Sequence, residues 1–360
     1  MIKICGRLLK FLIINFYILF KYLFFTKKNI DLDNISTIVF SHNLGGGTET
    51  YIASHYLKDN FLMIRLLSYR CDIFFELDRN GQKLIITKKQ LLKKLESVNY
   101  ETVIVNSLVA YSNMSFWLDF LSNNFIDKTL LYLVHDYHCI CENYVLTMYG
   151  KYCKCACNEC RKKNQVKQWR SLWQHFLARC DEIICFSSSS KDILLSCYDS
   201  IETKLSVVPH DLSYCEKIAY KGVCGKNIAI IGNCGNVAKG KLVLKDVIKG
   251  INRLKKNSLF IIGPSPFIFS RQTDYVHFLG KYKLDDLSTL IETNHIGIVI
   301  FPSVWPETFS YAVSEYMRLG LVIVSLMIGA QGEKLMNYDK TIFVDNMDFS
   351  TIYEKIRDLL

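Results

Sequence analysis

Three segments of this chain place chemically competent side chains where an apolar run gives way to a turn. In the first, Phe40-Ser41-His42-Asn43-Leu44-Gly45-Gly46-Gly47-Thr48-Glu49, glycines 45–47 follow a strand-like run and open a helical pattern. Glycine lets backbone amides approach a ligand closely, and a helix N-terminus favours an anion. A diphosphate or a developing leaving-group oxygen would fit there. A strand-to-helix turn that needs glycine for its own shape has the same sequence. In the second segment, Val134-His135-Asp136-Tyr137, an imidazole and a carboxylate close an apolar run, as site residues or as satisfied structural ones. In the third, Phe301-Pro302-Ser303-Val304-Trp305-Pro306-Glu307-Thr308-Phe309-Ser310-Tyr311-Ala312-Val313-Ser314-Glu315, one glutamate sits in a turn and another on the following helix. Their spacing is at most ~12 Å along a helix axis, roughly a nucleotide sugar from hexose to ribose. Two carboxylates could hold the two polyol ends, with a diphosphate near the helix N-terminus between them. A capped amphipathic helix with one solvent-facing glutamate is the other reading of that spacing.

Six of the 14 cysteines crowd together: Cys139, Cys141, Cys153, Cys155, Cys157 and Cys160. Cys157-x2-Cys160 is a metal-type knuckle, and Cys141 with Cys153 completes a four-thiolate set that suits structural zinc. The alternative is a reduced, metal-free loop. Residues 142–168 are polar and basic, and an insert this long needs something to order it. Cys71, Cys180, Cys185, Cys197, Cys224 and Cys234 are scattered and read as small buried hydrophobes in a reducing compartment. Trp169 and Trp173, four apart on a helix, read as packing residues, and Ser187–Ser190 as a helix cap.

The elements that must position these groups alternate. Strands are expected at 36–41, 61–66, 102–106, 130–135 and 182–186, with helices near 48–57, 88–97, 166–178 and 188–197. A further strand at 205–209 precedes the boundary, and the pattern then restarts with strands at 228–231, 259–262, 297–301, 321–325 and 342–344 and helices near 239–255, 284–293, 309–319 and 349–360. This alternation predicts two α/β domains, each a doubly wound parallel sheet with its ligand site at the carboxyl ends of the strands. A first domain over 31–212 would carry the Cys-rich insert 139–165, and a second would span 213–360. The natural site for such a pair is a cleft between them.

Composition excludes several classes. The chain is 50% hydrophobic and 22% charged, with 18 Gly and 5 Pro, so it is neither disordered nor of low complexity. The net charge is +10, of which residues 1–28 supply +6 through Lys3, Arg7, Lys10, Lys21, Lys27 and Lys28. The body is only mildly basic and has no base-reading motif, which argues against nucleic acid as a partner. No run reaches the roughly 18 uncharged apolar residues of a clean transmembrane helix. Residues 1–30 instead read as a hydrophobic helix with a narrow basic stripe, fit to lie on an anionic membrane surface. A short tilted span, or packing on the protein's own body, is the alternative.

Taken together, the third segment and its continuation Gly329-Ala330-Gln331-Gly332-Glu333 resemble the donor-site motif of glycosyltransferase family 4, retaining enzymes of the GT-B fold. The family's paired glutamates match Glu307 and Glu315. The Gly45-Gly46-Gly47 turn resembles its N-terminal glycine loop, His135-Asp136 its active-site His-Asp, and Lys239-Gly240 its phosphate-contacting Lys-Gly. Val207-Val208-Pro209-His210 resembles the segment entering its interdomain linker. The similarity runs from about 36 to 345. Some bacterial relatives share the His-Asp segment followed by cysteines at this spacing.

The resemblance implies two Rossmann-like domains and transfer with retention, with no cofactor required for catalysis. It implies catalytic roles for Glu307, His135 and Asp136. Donor binding would fall to Gly45, Gly46, Gly47, Lys239, Gly240, Thr308, Phe309 and Glu315. Glu307 would orient the sugar and support charge at C1, Lys239 would face the diphosphate, and Glu315 the ribose diol. A hexose or deoxyhexose would pass from a nucleotide diphosphate sugar to a lipid-linked saccharide acceptor. The expected setting is surface polysaccharide assembly (O-antigen or capsule) on the cytoplasmic face of the plasma membrane. A GT-B epimerase or phosphorylase, and a non-catalytic membrane-bound assembly subunit, are the rivals. Two departures stand out: Asn233-Cys234-Gly235 occupies the place of a common arginine, and Ser310 that of a common glycine.

Overall fold

The computed structural model describes residues 15–22, 29–43, 47–55, 60–68, 71–219, 225–264 and 272–360. They form two compact units. The first takes the chain up to Tyr144 together with Lys162–Cys185 and Leu195–Ser206, and the second takes Val145–Arg161, Phe186–Leu194 and Val207–Leu360. Segments 145–161 and 186–194 thus lie between stretches of the first unit but belong to the second.

A helix over 15–22 (α1) precedes β1 (Thr37–His42), α2 (Gly47–His55), β2 (Phe61–Leu66), β3 (Phe74–Arg79), β4 (Gln82–Thr87), α3 (Lys88–Leu95), β5 (Thr102–Val105), α4 (Met114–Asn123) and β6 (Thr129–Leu133). The short hairpin β7 (Thr147–Met148) and β8 (Lys151–Tyr152) follows, then α5 (Lys163–Arg179), β9 (Glu182–Cys185), α6 (Ser188–Leu195) and β10 (Leu205–Val207). The first sheet runs β10-β9-β6-β5-β1-β2-β3-β4. Ile38, Val39, Phe40, Val103, Ile104 and Val105 are all buried, as expected of central parallel strands covered on both faces.

One expectation changes here. The sheet is not parallel throughout, because β3 pairs antiparallel with both β2 and β4. For β3 and β4 the cause is local: Asn80 (φ 51°) and Gly81 (φ 82°) both take left-handed backbone, the signature of a two-residue hairpin turn. The hairpin then leads into α3, where Thr87 and Gln90 form a capping box. Behind it, the Asp72 carboxylate accepts from the amides of Ser112 and Asn113 and from Trp117 Nε1, tying the β2–β3 connection to α4.

In the second unit, β11 (Asn227–Ile231), α7 (Lys241–Leu254), β12 (Leu259–Ile262), β13 (Val276–Gly280), α8 (Leu287–Thr293), β14 (Ile296–Ile300), α9 (Tyr311–Arg318), β15 (Val322–Ser325), α10 (Gly329–Leu335), β16 (Thr341–Phe343) and α11 (Phe349–Ile356) follow in order. The sheet order is β13-β12-β11-β14-β15-β16, all pairs parallel. Counted within the unit this is 3-2-1-4-5-6, the dinucleotide-fold order, with its switch point between β11 and β14. Each face carries a core. One packs α7 and α11 on the sheet, where Gly250 leaves room for the Phe349 ring. The other packs α8, α9 and α10. The elements α4, β13 and α10 were not expected from the sequence. Among the described residues no helix is long and apolar enough to cross a membrane.

Candidate active site

In the second unit, the site residues gather at the carboxyl ends of β11 and β14. After β14 the chain turns through Pro302–Ser310 before α9 begins, and Glu307 lies inside that turn, 6% exposed. Gln331 on α10 fixes it from below: its side-chain oxygen accepts from the Glu307 amide at 2.9 Å, and its amide group donates to the Trp305 carbonyl at 2.7 Å. The Ala330 amide donates to the Glu307 carbonyl. The Glu307 carboxylate accepts from Lys239 Nζ at 2.7 Å and from Ser303 Oγ at 3.0 Å. Burial pushes this carboxyl up, but the Lys239 ammonium and the Ser310 and Ser303 hydroxyls outweigh it, and the group ends below the usual carboxylate range. Glu307 is therefore an ionised, buried carboxylate.

Lys239 is held by its own turn. Its amide donates to Asn236 Oδ1, and the Ala238 carbonyl accepts from the Val304 amide. Gly240 takes φ 90°, and a Cβ there would sit 2.3 Å from the Pro302 carbonyl oxygen, so glycine is what lets the two turns close on each other. The ammonium also lies 5.3 Å from the Trp305 ring centroid. Cys234, five residues before Lys239, is buried and supplies no cation.

On α9, Glu315 accepts from the Tyr214 hydroxyl at 3.2 Å. Burial raises its pKa, and that bond only partly offsets the effect. Thr308 and Phe309 are buried in the turn between the two glutamates. The Phe309 ring stacks on His210 at 4.3 Å.

The first unit builds a separate polar cluster at the carboxyl ends of β1, β5 and β6. Asn106 Nδ2 donates to Ser41 Oγ at 2.9 Å, and the Tyr111 hydroxyl to the Ser41 carbonyl at 3.0 Å. Asp136 accepts from Ser107 Oγ at 3.0 Å and from the His138 amide at 2.8 Å. Burial nevertheless pushes its carboxyl up to about 6, against those two bonds. His135 meets the edge of Tyr51, which stacks on His55. His42 is pushed down to about 4 by burial and stays neutral at pH 7. Gly47 opens α2, and Glu49 in its first turn pairs with Arg65 at 3.4 Å. Gly45 and Gly46 lie outside the described residues, as does Cys224.

The cysteines divide. Cys141 belongs to the first unit, and Cys153, Cys157 and Cys160 to the second. Cys153 lies within electrostatic reach of Cys157 and Cys160 and accepts from the Cys155 amide. Among the described residues no group of three or more His, Cys, Asp or Glu could hold a metal ion. Trp169 and Trp173 pack against His138.

Sequence reasoning missed Ser303, Gln331 and Tyr214 as partners of the two glutamates. Gln331 lay within the quoted motif, but nothing in its type or spacing pointed at a main-chain amide 24 residues away.

Two outcomes follow. Lys239→Met should destabilise the fold by somewhat less than the ~3–5 kcal/mol of a fully buried broken pair, since the lysine is 42% exposed. Adding Glu307→Gln should restore most of that loss, because a neutral amide needs no counter-charge; denaturant unfolding of the two variants checks both. For Asp136, the native state holds its proton more tightly than the unfolded chain. That stabilisation is full below about pH 3.8 and is lost as pH rises through about 6. Asp136→Asn removes this slope, so its stability relative to wild type should rise between pH 4 and 7.5 by on the order of 3 kcal/mol. Parallel unfolding curves that keep a constant offset would show that Asp136 titrates normally.

Comparison with known proteins places this architecture. Residues 225–360 match the family described as glycosyl transferases group 1. None of the curated proteins matches the chain in sequence. Among solved structures, Anabaena Alr3699/HepE in complex with UDP is 14% identical, covering 90% of this chain and 89% of its own at TM-score 0.57. Sucrose-phosphate synthase from Thermosynechococcus elongatus is 12% identical over 90% and 89%, at TM-score 0.60. A glycosyltransferase from Rickettsia africae is 14% identical over 91% and 88%, at TM-score 0.54. The chain has the GT-B fold of these proteins, and its second unit carries the match to the group 1 glycosyl transferases.

Proposed function

We propose that this protein is a retaining glycosyltransferase that moves a hexose or deoxyhexose from a nucleotide diphosphate sugar to a lipid-linked glycan, in the assembly of a surface polysaccharide such as O-antigen or capsule. The observation that carries the donor half is the buried, ionised Glu307 bonded to Lys239, with Glu315 one helix away. A donor diphosphate would take over the Lys239 ammonium and the first amides of α9. Glu307, released from the lysine but still held by Ser303, would face the sugar and support positive charge developing at C1. Glu315, steadied by Tyr214, would receive the ribose diol. The Anabaena relative was solved with UDP and with UDP and glucose, which fits a sugar nucleotide as donor. In the first unit, His135 and Asp136 would contact the sugar or the acceptor.

The membrane side of the reading rests on α1. Ile18 is buried and the Tyr22 ring lies tilted against Phe74, while Phe16 is 70% exposed, Tyr17 56% and Phe20 46%, beside Lys21. This helix packs on the protein along one side and turns aromatic rings and a cation outward, as an interfacial helix does. The remaining charges of residues 1–28 lie outside the described residues. An anionic cytoplasmic membrane face is the proposed partner.

A thermal-shift panel of UDP, GDP, dTDP and CDP tests the donor site. One nucleotide at ~100 times its dissociation constant should stabilise wild type by about 2.7 kcal/mol, and Glu315→Ala should lose that gain. No shift with any of the four would move weight to a non-catalytic subunit. For the membrane, wild type should sediment with vesicles containing anionic lipid but not with neutral ones. Triple replacement of Phe16, Tyr17 and Phe20 by Ser should release it; unchanged sedimentation would remove α1 from the reading.

A further inference from the structure

The turn between Glu307 and α9 holds a residue in an unfavourable conformation. Ser310, the residue before α9, has φ 61° and ψ 79°, and no side chain caps the helix there. Left-handed backbone is routine for glycine and rare for serine. Something outside the turn must hold it.

That support comes from α10. Gly329 (φ 56°) lies so close to Pro306 and Glu307 that a Cβ would approach their backbone to 2.5–2.7 Å. Ala330 and Gln331 bond the backbone of 305–307. One turn further along, Lys334 reaches the other end of the loop. Its Nζ donates to the Ser310 carbonyl at 3.2 Å and to Ser314 Oγ at 2.8 Å. The same nitrogen lies 3.4 Å from the Phe309 ring centroid. His210 stacks on that ring at 4.3 Å, so imidazole and ammonium must take opposite faces. Burial pushes Lys334 down to about 8, with Cys215, Glu307 and Glu333 partly restoring it. The fold thus keeps a cation here against a desolvation cost.

We propose that Lys334 is a positioning residue of the donor site: its ammonium holds Phe309 and the left-handed Ser310 so that the first amides of α9 face the donor diphosphate. The inference rests on the donor-site reading given under the proposed function. It ties the serine at 310 to the lysine at 334: the strained turn is tolerated because the cation clamps it.

The test is calorimetric titration of UDP, GDP, dTDP and CDP, and of the nucleoside of whichever binds, into wild type, Lys334→Met, Lys334→Arg and Ser310→Gly, and into Ser310→Gly combined with Lys334→Met. Lys334→Met should weaken the nucleoside diphosphate about tenfold, or about 1.4 kcal/mol. It should leave the nucleoside nearly unchanged, because Glu315 and not the turn holds the ribose. Lys334→Arg should retain most of the affinity. In the Ser310→Gly background, where glycine adopts the turn unaided, Lys334→Met should cost less than about threefold. If Lys334→Met does not fold, Lys334→Gln carries the same comparison. Unchanged diphosphate affinity in Lys334→Met overturns the proposal. So does an equal loss in both backgrounds, which would mean that the lysine acts by charge alone, and so does an equal loss for nucleoside and diphosphate. Wild type that binds none of the four would overturn the donor-site reading itself, and this inference with it.

Discussion

A buried carboxylate that stays ionised is the constraint around which the second unit is arranged. Glu307 can keep its charge only with a cation and hydroxyls at hydrogen-bond distance, and Lys239 and Ser303 provide them. Lys239 can be there only if its turn closes on Pro302, which needs glycine at 240. The loop bearing Glu307 can be that deep only if its main chain is satisfied, and Gln331 and Ala330 do this from α10. Each requirement recruits a different element, and all of them converge at the switch point of one parallel sheet.

The first unit solves a different problem at the equivalent place. Its strand ends carry a histidine that burial holds uncharged and an aspartate whose pKa burial raises to about 6, with the Ser107 hydroxyl donating to that aspartate. Such a surface suits exchange of hydrogen bonds with sugar hydroxyls. The second unit's strand ends instead carry the ionised Lys239–Glu307 pair. The two α/β units differ in electrostatics as well as in topology.

Much of this was legible in the sequence because it is local. Glu307 and Glu315 announce themselves by spacing and flanks, and the central strands by unbroken apolar runs. The edge hairpin was missed although Asn80-Gly81 marks it, because its strands carry Glu76, Asp78, Arg79 and Lys83 and are only partly buried. Helix α10 was missed because Gly329 and Gly332 lower helix propensity; it forms because it clamps the neighbouring turn. The strand β13 shows a single fully buried position and so gives a weak apolar signal. Ser303, Gln331, Tyr214 and Lys334 are common residue types whose roles depend on distant partners, and no spacing rule reaches them. The cysteine spacing suggested a four-thiolate set, and among the described residues no group of three or more such ligands is gathered.

The way the chain is shared between the units bears on cooperativity. Segment 186–194 leaves the last long strand of the first sheet yet belongs to the second unit, where Glu333 accepts the amides of Ser188 and Ser189 and Ser190 bonds Thr308. Phe186 meets the His210 ring edge-on. The hairpin tip at Gly150 likewise lies against Leu242 and Val237, beside the Lys239 turn. A C-terminal half excised at residue 207 would lack both segments and expose the surfaces they cover. A fragment that begins at residue 207 is therefore less than the second unit, although it holds that unit's complete six-stranded sheet.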